Sequence, residues 1–179
     1  MNSFFTKLPV NVPDIDYSIL KGKLYFQYKG SSLSYYYIDS VELLKSHLPE
    51  SFFKIIPHTI KFVEITNNET VPPHKDYGVE CSINFYFSPG NAEVSWYTAK
   101  NTAVEKVTSK ERTRLYKKED IVLSDKFVAE KNECYLFNNS QIHSVNKENN
   151  SIRQFIQIQY YQSYEIILKK LGAASRNRT

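Results

Sequence analysis

The sequence predicts a mainly β protein, a two-sheet sandwich or barrel of jelly-roll type with flanking helices, on three observations. Between Pro72 and Tyr160 the chain reads as short apolar runs, CSINFYF, EVSWYT, ECYLFN, IHSVN and IRQFIQIQYY, separated by turns rich in Gly, Pro, Asn or Lys. Several short strands at this spacing point to a sandwich or barrel. Aromatic residues make up 15% of the chain, with 14 Tyr and 11 Phe, and such side chains pack well on pleated surfaces. No apolar run approaches the length that spans a bilayer, and the N-terminus lacks a basic start followed by an apolar stretch, so the expected location is cytoplasmic.

A length of 179 residues suits one domain with its own core. We divide it into N-terminal strands and a helix (1–57), a jelly-roll core (58–162) and a C-terminal helix and tail (163–179). Residues 1–16 read as irregular, because Pro9 and Pro13 interrupt any regular element. YSILKGKLYFQYKG reads as two strands around Lys21-Gly22-Lys23, and SLSYYYI as a third. Asp39-Ser40-Val41-Glu42 is a capping box for a helix with Val41, Leu44, Leu48 and Phe52 on one stripe. This front part is expected to pack on the outside of one sheet.

HTIKFVEI follows as a strand with Ile60, Phe62 and Glu64 opposite Lys61, Val63 and Ile65. Ser163 can cap a last helix, YEIILKKL, which Gly172 closes; ASRNRT reads as a disordered tail. Cys81 and Cys134 both fall in strand-like runs, which favours reduced, buried thiols over a disulfide. There are no internal repeats.

The chemistry concentrates in His74-Lys75-Asp76, His143 and Arg153. In an extended segment residues i and i+2 point to the same side, so His74 and Asp76 offer an imidazole nitrogen and a carboxylate oxygen to one point. His143 must then arrive from a distant strand, which a jelly roll achieves by pairing an early strand with a late one. Two imidazoles and one carboxylate can hold divalent iron on one face and leave its other positions open. Arg153 opens the strand after the turn Lys147-Glu148-Asn149-Asn150-Ser151, and its planar fork of donors in an apolar barrel suits a carboxylate. The two other histidines, His47 and His58, read as ordinary surface or core residues.

On IRQFIQIQYY, Ile156 and Ile158 share one buried face, and Arg153 shares the other, more polar face with Phe155, Gln157 and Gln159. On CSINFYF, Ser82, Asn84 and Tyr86 form a polar stripe that can line the cavity beside the metal segment, opposite Cys81, Ile83, Phe85 and Phe87. Trp96 and Tyr97 read as strand aromatics near the cavity, more core than substrate contact.

Taken together, PPHKDYG, CSINFYFSPG, EVSWY, FNNSQIHSV and Arg153 resemble the Fe(II)- and 2-oxoglutarate-dependent dioxygenases. The resemblance covers roughly residues 58 to 162. It is strongest to the small hydroxylases of the prolyl, aspartyl/asparaginyl and phytanoyl types, including small versions carried by phages. It implies a cupin-like double-stranded β-helix, with His74, Asp76 and His143 as iron ligands. It further implies Arg153 on the distal carboxylate of the cosubstrate 2-oxoglutarate, O2 at the remaining iron position, and Asn84 as a polar contact to the cosubstrate. The prolyl hydroxylases usually carry Lys where this chain has Arg153. The Arg-x-Ser motif of the plant-hormone oxidases is absent, since Gln154-Phe155 follow Arg153. The subfamily therefore stays open.

The net charge of +4 is concentrated in residues 100–120, where seven cations face four acids. This stretch lacks a sustained apolar period and reads as a rim loop, Lys100 to Lys118, which would favour an acidic partner. The resulting expectation is hydroxylation of a protein side chain or a small molecule. A nucleobase-modifying oxygenase is the alternative enzyme, with nucleic acid as partner and the basic loop its sole support. A non-catalytic jelly-roll binding protein is the alternative outside enzymes. A membrane partner is not expected, and the sequence does not speak to oligomeric state.

Overall fold

The computed structural model describes residues 4–10, 24–27, 33–38, 44–45, 48, 50–66, 69–100, 106–107, 114–147 and 150–172. Their elements in chain order are β1 (Phe5–Leu8), β2 (Leu24–Gln27), β3 (Leu33–Tyr37), β4 (Thr59–Ile65), β5 (Glu69–Lys75), β6 (Cys81–Ser88) and β7 (Glu93–Ala99). They continue with β8 (Lys106–Val107), β9 (Arg114–Leu115), β10 (Ile121–Val128), β11 (Cys134–Asn138), β12 (Ile142–Lys147), β13 (Arg153–Tyr160) and the helix α1 (Tyr164–Lys170). Two antiparallel sheets result, one in the order β1-β11-β6-β13-β4-β3-β2 and one in the order β10-β7-β12-β5-β9-β8. Early strands lie beside late ones, β5 against β12 and β6 against β13, which is the connectivity that a jelly roll requires.

The alternation within β6 explains the division of the core. Cys81, Ile83, Phe85 and Phe87 face outward and join Ile60, Phe62, Ile156 and Ile158. Leu44, Leu48, Phe52 and Ile55, together with Tyr164 and Ile167 of α1, cover that face. Tyr86 faces the other way, into a layer between the sheets with Val63, Phe155, Val94, Trp96 and Phe137. Both faces of the central strands of the seven-stranded sheet are therefore buried, although one face of β6 and β13 carries polar side chains. A buried aromatic such as Phe62 or Phe85 is worth about 3 to 5 kcal/mol against Ala. Tyr116, Ile121 and Ile142, with Tyr97, form a small third cluster.

Several expectations are adjusted. Phe5–Leu8 is a strand and not irregular chain: it pairs with β11, and the Phe5 ring lies 4.9 Å from Trp96 and 4.6 Å from Phe127. Tertiary packing overrides the weak local signal, and Pro9 merely ends the strand. β2 and β3 extend the edge of the seven-stranded sheet through β4 and do not lie on its outside, whereas Leu44, Leu48 and Phe52 do cover its outer face. Ser163 stands at the N-cap of α1 but makes no side-chain capping bond, while Gly172 (φ +66°) follows the helix end as expected. The capping box 39–42, His47, the strand before Lys21 and the tail 174–179 lie outside the described residues. Cys81 and Cys134 are free and buried, and burial pushes the Cys81 thiol up to about 12. Among the described residues no helix is long and apolar enough to cross a membrane.

Candidate metal centre

His74 lies next to last in β5 and Asp76 directly follows the strand, so the chelating pair projects from one strand end. His143, the second residue of β12, stands opposite His74 in the β5–β12 pairing, and on its other side faces Trp96 of β7. The two imidazole centroids are 4.3 Å apart, and His74 Nε2 is 3.5 Å from Asp76 Oδ1. One ligand atom from each of the three residues lies within 4.8 Å of the others. The sequence spacing thus brings together the three residues that it predicted.

Each histidine is held by its own strand. His74 Nδ1 sits 2.8 Å from the Pro72 carbonyl and His143 Nδ1 sits 3.0 Å from the Gln141 carbonyl. A carbonyl can only accept, so both Nδ1 atoms carry a proton, and in the neutral imidazole Nε2 is then the atom left to ligate a cation. The Pro-Pro pair before His74 contributes too, because the Pro73 carbonyl accepts the Tyr116 N–H at 3.0 Å and ties the segment after β9 to the metal strand.

Asp76 has a support that the sequence reading missed. Asn139 Nδ2 donates to Asp76 Oδ2 at 2.5 Å, and Asn139 Oδ1 accepts from Ser82 Oγ at 2.9 Å. This chain runs from the polar stripe of β6 through the turn after β11 to the metal strand. Burial acts to raise the Asp76 carboxyl, but the His74 hydrogen bond, the charges of His143 and His74 and the Asn139 bond outweigh it. The carboxyl is held well below the usual carboxylate range. Burial, with the neighbouring His74, pushes His143 down to about 4, against smaller opposing effects of Asp76 and the Gln141 carbonyl. Asp76 therefore rests as a carboxylate and His143 as a neutral imidazole, the forms in which they can ligate a divalent cation.

The other end of the interior holds Arg153, 2% exposed at the start of β13. Its Nη2 donates to the Tyr86 hydroxyl at 2.9 Å, and its Cζ lies 5.3 Å from the centre of the Tyr86 ring and 5.1 Å from that of Phe155. Nε and Nη1 are buried and have no hydrogen-bond partner among the described residues. Gly90 (φ +65°) makes this approach feasible, since a Cβ there would stand 2.8 Å from Arg153 Cβ. Asn84 is buried one alternation before Tyr86; its Nδ2 lies 3.5 Å from the Tyr86 hydroxyl and its Oδ1 has no partner. Tyr86 belongs to the predicted polar stripe, but its contact with Arg153 was not foreseen.

Lys147 differs from expectation. Read as part of a polar turn, it is instead the last residue of β12 and 1% exposed. Burial and the nearby Arg153 charge lower its pKa, so two cations share the far end of the interior. The basic segment also departs from a simple loop. Within it Lys106–Val107 and Arg114–Leu115 pair as β8 and β9, and β9 pairs with β5 so that Leu115 stands opposite His74. Residues 101–105 and 108–113 of that segment lie outside the described residues.

No family model matches the sequence, and no curated protein matches it. Among solved structures, the chain is similar to an oxidoreductase of the 2OG-Fe(II) oxygenase family from Burkholderia pseudomallei. The two share 10% identity over 89% of this chain and 86% of that one, with a TM-score of 0.52. It is also similar to hazelnut (Corylus avellana) vicilin, at 8% identity, 80% of this chain and TM-score 0.45. A third is Bacillus subtilis oxalate decarboxylase, at 11% identity, 79% of this chain and TM-score 0.41. The match spans only 32% of the vicilin and 28% of the decarboxylase. The first of these likenesses, which spans most of both chains, is one of fold and agrees with the two-sheet, double-stranded β-helix arrangement of the strands.

Proposed function

We propose that this chain is an Fe(II)- and 2-oxoglutarate-dependent oxygenase that hydroxylates an unactivated carbon of a protein side chain or a small molecule. One observation carries the reading. A buried guanidinium with two nitrogens that have no hydrogen-bond partner among the described residues shares a barrel interior with a two-histidine, one-carboxylate cluster whose ligand atoms lie within 4.8 Å of one another. Buried donors without acceptors are costly unless a ligand supplies them. An anion that also reaches the cluster answers both needs, and a dicarboxylate with a keto group next to one carboxylate is such an anion.

The donor set fits iron: two imidazole nitrogens and one carboxylate leave coordination positions free, whereas structural zinc would call for four protein ligands. Neither Cys81 nor Cys134 is part of the cluster. When bound, iron, 2-oxoglutarate and O2 would supply oxidation of a C–H bond to C–OH, with 2-oxoglutarate converted to succinate and CO2. The chain's own residues do the rest. His74, Asp76 and His143 would hold the metal, with Asn139 fixing the carboxylate. Arg153 and Tyr86 would bind the distal carboxylate, and Asn84 would offer its amide to the other end of the cosubstrate. Trp96, Phe137 and Phe155 keep that space poor in water.

The test is calorimetric titration of 2-oxoglutarate into protein loaded with Mn(II), with succinate release measured under Fe(II) and O2. Metal-dependent binding of one 2-oxoglutarate per chain is expected. Tight metal binding with no 2-oxoglutarate binding would instead leave a jelly-roll metal-binding protein.

A further inference from the structure

At the end of the sandwich from which the metal ligands project, a cavity of about 290 Å³ is lined by Phe4, Lys75, Tyr97, Ala99, Gln141 and Ile142. Several of these are sequence neighbours of the ligands. Lys75, the last residue of β5, stands between His74 and Asp76. Ile142 opens β12 next to His143, and the Gln141 carbonyl is the one that holds His143 Nδ1. Tyr97 lies opposite Ile142, one residue along from the Trp96 and His143 pair. Alternation sets the side chains of Lys75 and Ile142 on the face of the sheet opposite to their ligand neighbours, where Ile142 packs with Tyr97, Tyr116 and Ile121. Phe4, by contrast, packs against the layer between the sheets. The cavity therefore wraps around the strand ends, from the outer face to the mouth of the interior.

Among the described residues of this wall, Lys75 alone carries a charge. It is partly buried, and its ammonium lies 5.8 Å from the centre of the Tyr116 ring, a contact that brings no counter-charge. In the β5–β9 pairing Arg114 stands opposite Lys75, and like charges at directly opposed positions are unfavourable. An anion seated at the strand ends removes that repulsion. The rest of the wall is mostly apolar: Phe4, Ala99 and Ile142 surround the space, and the Tyr97 hydroxyl is already bonded to Ser144 at 2.9 Å. The volume lies at the low end for small-molecule sites, about 300 to 1,000 Å³. It admits a compact group, and a single ammonium lacks the converging donors that a phosphate calls for.

We propose that this cavity anchors the primary substrate, that it takes a carboxylate carried on a short apolar stem, and that Lys75 is the residue that sets this specificity. A substrate held there by its carboxylate passes over the strand ends and presents its far end to the metal centre. The proposal rests on the oxygenase reading and gives it a substrate class. The carboxylate belongs either to an acidic side chain or to a small acid; the contacts are the same, and experiment separates the two sources.

Protein loaded with Zn(II) and saturated with 2-oxoglutarate is titrated, by ligand-observed NMR, with pentanoate and pentanamide, and with a blocked Ala-Ala-Glu-Ala-Ala peptide and its Gln analogue. At least one acid should bind about tenfold or more tightly than its amide, as expected for a charge-assisted hydrogen bond. The peptide pair reports a side-chain substrate and the pentanoate pair a small-molecule one. Lys75→Met should abolish the preference, and Lys75→Arg should restore most of it because the charge returns. Ala99→Phe, which fills the cavity and keeps the charge, should abolish acid binding as well. With paramagnetic Mn(II) in place of Zn(II), the stem protons farthest from the carboxylate should broaden more than those beside it.

Acid and amide binding alike, no acid binding at millimolar concentration, or a preference that survives in Lys75→Met or Ala99→Phe overturns the proposal. So does a bound acid whose stem Mn(II) leaves sharp, since the cavity would then not lead to the metal. A loss of 2-oxoglutarate affinity in Lys75→Met overturns it too, because Lys75 would then serve the cosubstrate. Mn(II) and 2-oxoglutarate binding are measured first on the same samples. If they fail while the Lys75-dependent preference persists, the oxygenase reading falls and the carboxylate site stands.

Discussion

The two ends of the barrel interior are built on opposite principles. At the metal end the protein satisfies its own polar groups: each Nδ1 has a backbone acceptor, and Asp76, Asn139 and Ser82 form a closed relay. At the far end burial and the Arg153 charge disfavour the charged form of Lys147, and Arg153 Nε and Nη1 and Asn84 Oδ1 have no partner among the described residues. The first end is preorganised without its ligand. The second carries buried polar atoms without partners among the described residues and has to be stabilised by the packing around it. A change at the metal end should therefore remove function with little relief to the fold, while a change at the far end should trade affinity against stability.

The largest effect is expected at the metal end. Asp76→Ala or His143→Ala leaves two ligands and should abolish stoichiometric metal binding, measured by calorimetry with Mn(II). Asn139→Ala should be milder, weakening the metal by about tenfold to a hundredfold, because it frees the carboxylate without removing it. Wild-type metal affinity in Asn139→Ala would mean that Asp76 is oriented by something other than the relay.

At the far end, Arg153→Met conserves much of the volume and removes a buried cation whose donors are partly unmatched. It should weaken 2-oxoglutarate at least about tenfold with metal binding intact. Ligand-free stability should be unchanged or higher, since replacing an incompletely paired buried charge by an apolar group is often neutral or favourable. Arg153→Lys should fall between the two in affinity, because an ammonium loses the fork. A strongly destabilised Arg153→Met protein with normal 2-oxoglutarate affinity would reverse the contrast between the two ends.

How much of this was legible follows from how local each feature is. His74 and Asp76 are two residues apart at one strand end, so their convergence is a property of extended chain. His143 and Arg153 lie at or near the start of strands bounded by clear turns, so their faces could be assigned from alternation. Lys147 was misread because Lys-Glu-Asn-Asn-Ser is locally a turn, and its burial depends on β12 continuing far enough to pair with Glu69 of β5. Asn139 lies within the quoted FNNSQIHSV run, but its bond to Asp76 exists only once the turn after β11 meets the end of β5. Tyr86 was placed on the right face; which of its neighbours faces the metal is set by register between strands distant in sequence, which no local pattern encodes. Phe5 is similar, a strand residue whose partners, Trp96 and Phe127, come much later in the chain.

The smallest expected effect concerns acid stability, and it separates the two ends once more. In the unfolded chain His143 takes up a proton near its ordinary 6.5, but in the folded protein burial and His74 hold it to about 4. Between those values the unfolded state binds more protons, so stability should fall as pH drops from about 6.5 toward 4, by up to roughly 3 kcal/mol. Asp76 has the same sign in a lower window: its folded carboxyl lies below the usual range, so its contribution is present above about 4 and lost on further acidification. Arg153 stays charged throughout and should add no slope. Denaturant unfolding of the metal-free protein at a series of pH values would show the decline. His143→Asn should flatten it between 6.5 and 4, whereas Arg153→Met should leave its shape unchanged. A wild-type curve that is level across that window would mean that His143 is readily protonated in the folded state, and that the metal end is less prepared for a cation than its hydrogen bonds imply.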